Sequence, residues 1–79
     1  MTFEEFYKKI EIIVKNDGDE TLNIKNFIKK MISELEVEYS TPESRIKYVS
    51  EFNQIPEELI KILWENKDKY KKYLKELEK

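Results

Sequence analysis

The 79-residue sequence has no cysteine, no histidine and a single glycine, Gly18. The missing cysteines exclude a disulfide and a thiol nucleophile. With histidine also absent, a Cys/His zinc site and the usual proton shuttle near neutral pH are excluded too. One glycine cannot build a Gly-rich phosphate loop. Proline is sparse, with only Pro42 and Pro56. Long apolar runs are lacking: Ile12-Ile13-Val14 is far below the roughly 20 residues that span a bilayer. Met1 leads into Phe3-Glu4-Glu5, not a basic stretch followed by an apolar one, so no signal peptide and a cytoplasmic location are expected. Nothing calls for a cofactor.

What is present is charge and aromatic mass. Charged residues make up 41% of the chain, and 15 basic against 17 acidic side chains give a net charge of -2. Aromatics reach 13%, and each ring can bury roughly 150–250 Å², so composition argues against disorder. The length allows one domain, residues 1–79, with a small core and no large internal pocket.

Four segments carry helical periodicity. Thr2 and Glu5 form a capping-box pair before Phe3, Phe6, Tyr7, Ile10, Ile13 and Val14, which share one face. Asn16-Asp17-Gly18-Asp19 stops that helix, with Gly18 suited to a left-handed turn. A second helix is predicted from near Thr21, with a stripe of Ile24, Phe27, Ile28, Met31, Ile32, Leu35 and Tyr39. Thr41-Pro42 opens a third in the manner of an N-cap and first helical position. Ile46, Tyr48, Val49 and Phe52 give it a broad apolar side before Asn53-Gln54-Ile55 breaks it. Pro56 begins a last helix reaching Leu77, with Leu59, Ile60, Leu63, Tyr70, Leu74 and Leu77 inward. Acid-then-base pairs four apart, such as Glu4/Lys8, Glu11/Lys15, Glu57/Lys61 and Asp68/Lys72, fit helices and contribute about 0.2–0.5 kcal/mol each.

Several constellations invite a chemical reading. The segment around Asn16-Asp17-Gly18-Asp19 resembles part of a calcium loop between helices, but Lys15 falls on the first ligand position, Glu20 on the glycine and Asn26 on the bidentate acid. A plain connection is the stronger reading. Glu34, Glu36 and Glu38 crowd the end of helix two, where a solvated acidic face outweighs a cation grip. Paired carboxylates need a pocket to perturb them, and so small a bundle seldom supplies one; no enzyme is expected. The Lys67–Lys79 segment interleaves Tyr70 and Tyr73 with lysines. That makes a nucleic-acid reading with Arg45, Lys71, Lys72 and Lys75 the first alternative, though the chain is acidic and Arg45 is its only arginine. Membrane-surface binding would compete with the core for the last helix's apolar stripe.

The sharper signal is apolar surplus. Ile12 lies nearly opposite the Phe6/Ile10 face, and Ile62 and Tyr73 lie together opposite the Leu63/Leu74 face, with Trp64 at its border. With Tyr48 these form the candidate partner-binding set; the plain counter-reading is a last helix buried on two sides.

The stretch from Glu4-Glu5-Phe6 to Met31 resembles the first two helices of colicin/pyocin-type bacteriocin immunity proteins, through Phe6, Ile10, Ile13, Ile24, Phe27, Ile28 and Met31. Pro56-Glu57-Glu58-Leu59-Ile60 is similar to the start of that family's last helix. The resemblance implies a small cytoplasmic four-helix protein that binds and blocks a toxic nuclease. It covers about half the chain. Of the family's third-helix signature, Asp-Leu-Ile-Tyr-Tyr-Pro, only Ile46 and Tyr48 are kept, and Tyr48 is the one binding position carried over. Lys25, Asn26, Lys29 and Lys30 stand where that family has an acidic, nuclease-facing surface.

The expectation is therefore an all-α, compact four-helix bundle whose third helix is allowed to be short or irregular. Its expected role is non-catalytic: it binds another protein and inhibits or regulates it, as immunity proteins and phage or mobile-element inhibitors do. The alternatives are a nucleic-acid-associated regulator and a module that self-associates through its last helix.

Overall fold

Residues 1–16, 18, 23–38 and 40–77 are described by the structure, a computed structural model. Five helices run in order: α1 (Phe3–Asn16), α2 (Ile24–Leu35), α3 (Pro42–Asn53), α4 (Glu57–Glu65) and α5 (Lys67–Leu77). No strand occurs among the described residues.

Local chemistry sets most boundaries. The Thr2 hydroxyl accepts from the Glu5 N–H at 3.2 Å and donates to the Glu5 carboxylate at 3.1 Å, opening α1. The Gly18 N–H returns to the Lys15 carbonyl at 3.0 Å with φ +84°, a left-handed value that a Cβ would oppose. The Asn23 side chain accepts from the Asn26 N–H at 3.1 Å and caps α2, so α2 begins later than the predicted start near Thr21. Thr21 lies outside the described residues, as do Asp17, Asp19 and Glu20 of the calcium-loop reading, Tyr39 of the predicted stripe, and Glu78 and Lys79. Of the i,i+4 pairs, Glu11–Lys15 closes at 3.7 Å.

The third helix, which the sequence allowed to be short or irregular, is a regular one, and the helix count is corrected from four to five. Thr41 Oγ1 accepts from the Ser44 N–H at 3.2 Å, Pro42 is the first of twelve regular residues, and a left-handed C-cap at Gln54 ends them. The predicted last helix is two helices. Asn66 interrupts it with φ -117° and ψ 16°, and its side-chain amide donates to the Ile62 carbonyl at 2.9 Å. An asparagine that bonds a carbonyl four residues back competes with the helical ladder at that point.

One core joins all five helices. Phe6, Ile10 and Val14 of α1, the stripe from Ile24 to Leu35 of α2, Ile46 and Val49 of α3, Leu59, Ile60 and Leu63 of α4, and Tyr70 and Leu74 of α5 are buried. α2 is the central element: α1, α3, α4 and α5 all pack on it. Rings of α1 meet α5, with Phe3 and Phe6 centred 5.1 and 5.3 Å from Tyr70, a separation typical of favourable aromatic pairs. Leu77, predicted to point inward, is 52% exposed at the end of α5.

Candidate functional site

α3 is turned against its own composition. Its inner side carries Ile46 and Val49 together with Arg45, Ser50 and Asn53, which are half-buried. Each of these polar side chains reaches a backbone carbonyl. Arg45 Nη1 donates to the Leu35 and Val37 carbonyls, both at 3.0 Å, where the end of α2 leaves acceptors unpaired. Ser50 Oγ donates to the Ile55 carbonyl at 2.6 Å. Asn53 Nδ2 donates to the Val49 carbonyl at 2.9 Å and to Glu34 Oε1 at 3.0 Å, while Asn53 Oδ1 accepts from Lys30 Nζ at 3.1 Å. The Arg45 and Lys30–Asn53–Glu34 bonds hold α3 on α2 in one rotation about its axis, while the Ser50 and Asn53–Val49 bonds stay within α3 and the turn after it.

That rotation sends two rings outward. Tyr48 is 54% exposed and Phe52 58% exposed. They stack on each other with centroids 5.7 Å apart and planes 14° from parallel, as side chains four apart on a helix can. Lys30 Nζ stands 5.0 Å from the centre of the Phe52 ring and 6.0 Å from that of buried Phe27, within cation–π range. The result is an exposed aromatic ladder, fixed at one edge by the Lys30–Asn53–Glu34 network.

Phe52 was expected to share the core side of α3, and that expectation is corrected: half-buried Arg45 and Asn53 hold the inner edge instead. Nothing in apolar periodicity signals this. The clue was Arg45 and Asn53, each four residues from Val49 and each able to satisfy a carbonyl.

The remaining candidate residues are dispersed. Ile12 stands alone on α1 at 58% exposure. Ile62, Trp64 and Tyr73 are half-buried and packed against the core. The shared helical face predicted for Ile62 and Tyr73 does not exist, because the break at Asn66 sets them on different helices. Trp64 is covered on its ring faces by Arg45 and Lys67, whose charged groups lie 5.0 and 4.7 Å from the ring centre. Arg45 is thus engaged three ways and is not presented to a phosphate chain. Lys71 is ion-paired with Glu36, while Lys72 and Lys75 are exposed.

Titration adds little. Tyr70 is the one described group with a raised pKa; burial is the main cause, with the charges of Glu5 and Tyr73 adding to it. Its hydroxyl is buried without a hydrogen-bond partner among the described residues. Glu34 is tied to Asn53 and lies 4.0 Å from Lys30, and among the described residues no group of three acidic side chains is arranged to hold a metal ion. No described helix is long and apolar enough to cross a membrane.

No protein-family model, curated protein or solved structure matches the chain.

Proposed function

We propose that this protein is a non-catalytic docking module that binds another protein through the Tyr48–Phe52 ladder of α3 and inhibits or regulates it. One observation carries the reading: two large rings lie more than half exposed and stacked, while polar side chains of the same helix occupy its inner side. Leaving a Phe unburied forgoes about 1.5–3 kcal/mol, which a concave apolar cleft on a partner recovers. Tyr and its neighbours at the centre of a small patch are the residues that dominate interface energy. Tyr48 is also the single binding position that the resemblance to bacteriocin immunity proteins carries over, so a toxin-neutralising or host-inhibiting role is the specific form we favour. The nucleic-acid reading loses Arg45, which is held by Leu35, Val37 and Trp64.

The test is a photo-crosslinking residue at position 48 in the producing cell, followed by binding measurements with the purified partner. One dominant adduct, with affinity lost in Tyr48→Ala/Phe52→Ala, supports the proposal. An adduct formed only with a second copy of the chain would replace it by self-association.

A further inference from the structure

The joint between α4 and α5 is a single residue. Asn66 leaves the helical region with φ -117° and ψ 16°, but the bonds on either side of it are helical. The Asn66 N–H donates to the Ile62 carbonyl at 3.1 Å, and the Tyr70 N–H to the Asn66 carbonyl at 2.9 Å. What the joint forgoes are the bonds that would close over it, from the Lys67 N–H to the Leu63 carbonyl and from the Lys69 N–H to the Glu65 carbonyl. No proline or glycine stands between Glu57 and Leu77 to hold it open. Rotation of the Asn66 backbone alone would merge α4 and α5 into one helix.

The sequence suits that longer helix. Leu59, Leu63, Tyr70 and Leu74 would share one stripe, and Glu65 and Lys69 would form an acid-then-base pair across the joint. Ile62 and Tyr73, which the break now separates, would come onto one side with Asn66 and Lys69 between them. The obstacle is the seat of α5. Tyr70 and Leu74 are fully buried, with Tyr70 against Phe3 and Phe6, and Lys71 is ion-paired with Glu36 of α2. A single chain that straightened would open its own core. A second copy of the chain presents the same seat, already shaped for α5.

We propose that two copies exchange α5: in each, α4 and α5 straighten at Asn66, and α5 takes the place against α1 and α2 of the other copy that it otherwise holds in its own. The core contacts are the same ones, made between chains instead of within one. The long helices cross antiparallel at the two-fold axis beside the joint, so that Ile62 of each copy faces Tyr73 of the other, an isologous contact that the single chain lacks. The proposal does not rest on the Tyr48–Phe52 ladder, which lies on α3 and stays exposed in either form, and its test separates the two.

The full chain is refolded at concentrations up to millimolar and its mass is followed by sedimentation. A dimer that grows with concentration is expected. Asn66→Ala, the better helix former, should tighten it and Asn66→Gly should loosen it. With one joint in each copy, the two variants should differ by about tenfold or more in dimer dissociation constant. Exchange is told from side-by-side packing by refolding chains that carry Glu36→Cys together with chains that carry Lys71→Cys, under reducing conditions, and adding a short thiol-to-thiol crosslinker. Unlike chains should be joined well in excess of like ones. Tyr48→Ala/Phe52→Ala should leave the dimer unchanged. A chain that stays monomeric at millimolar concentration even as Asn66→Ala, equal dimerisation of the alanine and glycine variants, a dimer whose unlike chains are not preferentially joined, or a dimer lost with the two ladder rings would each overturn the proposal.

Discussion

The Arg45 guanidinium lies 5.0 Å from the centre of the Trp64 ring while its Nη1 donates to two carbonyls at the end of α2. One side chain thereby joins α2, α3 and α4. Its Nε is buried without a partner among the described residues, a cost that the two carbonyl bonds and the indole beneath it offset. A lysine would keep the charge but lose the planar fork and the stacking. Arg45→Lys is expected to lower stability by about 1–2 kcal/mol, read as a shift of the urea midpoint. An unchanged midpoint would mean the clamp is ornamental. Because Arg45 serves the fold, the same variant should bind a partner of the Tyr48–Phe52 face normally once folded.

The opposite behaviour is expected of the ladder. Tyr48 and Phe52 touch each other and solvent more than the core, so Tyr48→Ala/Phe52→Ala should change stability by no more than about 0.5 kcal/mol in either direction. Partner binding should fall by at least tenfold, as loss of one or two hot-spot rings does. Calorimetric unfolding and a partner titration on the same samples would separate these effects. A large loss of stability with binding intact would reverse the assignment.

How much of this was legible in the sequence differs by element. Phe6, Ile10 and Val14, the α2 stripe, and Leu59, Ile60, Leu63, Tyr70 and Leu74 are buried, and their 3–4 spacing alone identified them. Thr2 and Thr41 were readable as caps because their side-chain chemistry is local. The break at Asn66 was not. Apolar residues continue on both sides of it, and the Asn66 N–H still bonds the Ile62 carbonyl, so the interruption lies in the φ and ψ of Asn66, which periodicity does not register. The outward turn of Phe52 was hidden for a related reason. Rotation of α3 depends on Arg45, which finds carbonyls at the end of α2, and on Asn53, which meets the Lys30 and Glu34 side chains of α2. Tertiary partners of polar side chains leave no periodic trace.

Gln54 ends α3 with φ 58° and ψ 40° and no glycine to ease it. A non-glycine residue in the left-handed region costs roughly 1–2 kcal/mol. The Gln54 side chain is exposed and makes no bond among the described residues, so little is lost by removing it. Gln54→Gly is expected to raise stability by about 0.5–1 kcal/mol, seen as a higher thermal midpoint. A lower midpoint would show that flexibility gained by the unfolded chain outweighs the relief of strain.

Tyr70 offers the clearest pH test. Its ring fills the core between α1 and α5 at 1% exposure, but its hydroxyl finds no partner among the described residues. An unsatisfied buried hydroxyl costs about 1–3 kcal/mol, and phenylalanine keeps the ring while removing it. Tyr70→Phe should therefore be neutral or stabilising, by up to about 1 kcal/mol near pH 7. Burial, helped by the charges of Glu5 and Tyr73, raises the Tyr70 pKa in the folded protein. The folded state then holds the proton after the unfolded chain, with a pKa of about 10, has released it. The folded state thus binds more protons in that range, and stability falls as pH rises from about 10 through the folded pKa. The advantage of Tyr70→Phe over wild type should widen above about pH 10, measured as urea midpoints across the range. A difference that stays constant with pH would mean that the phenol ionises as readily folded as unfolded.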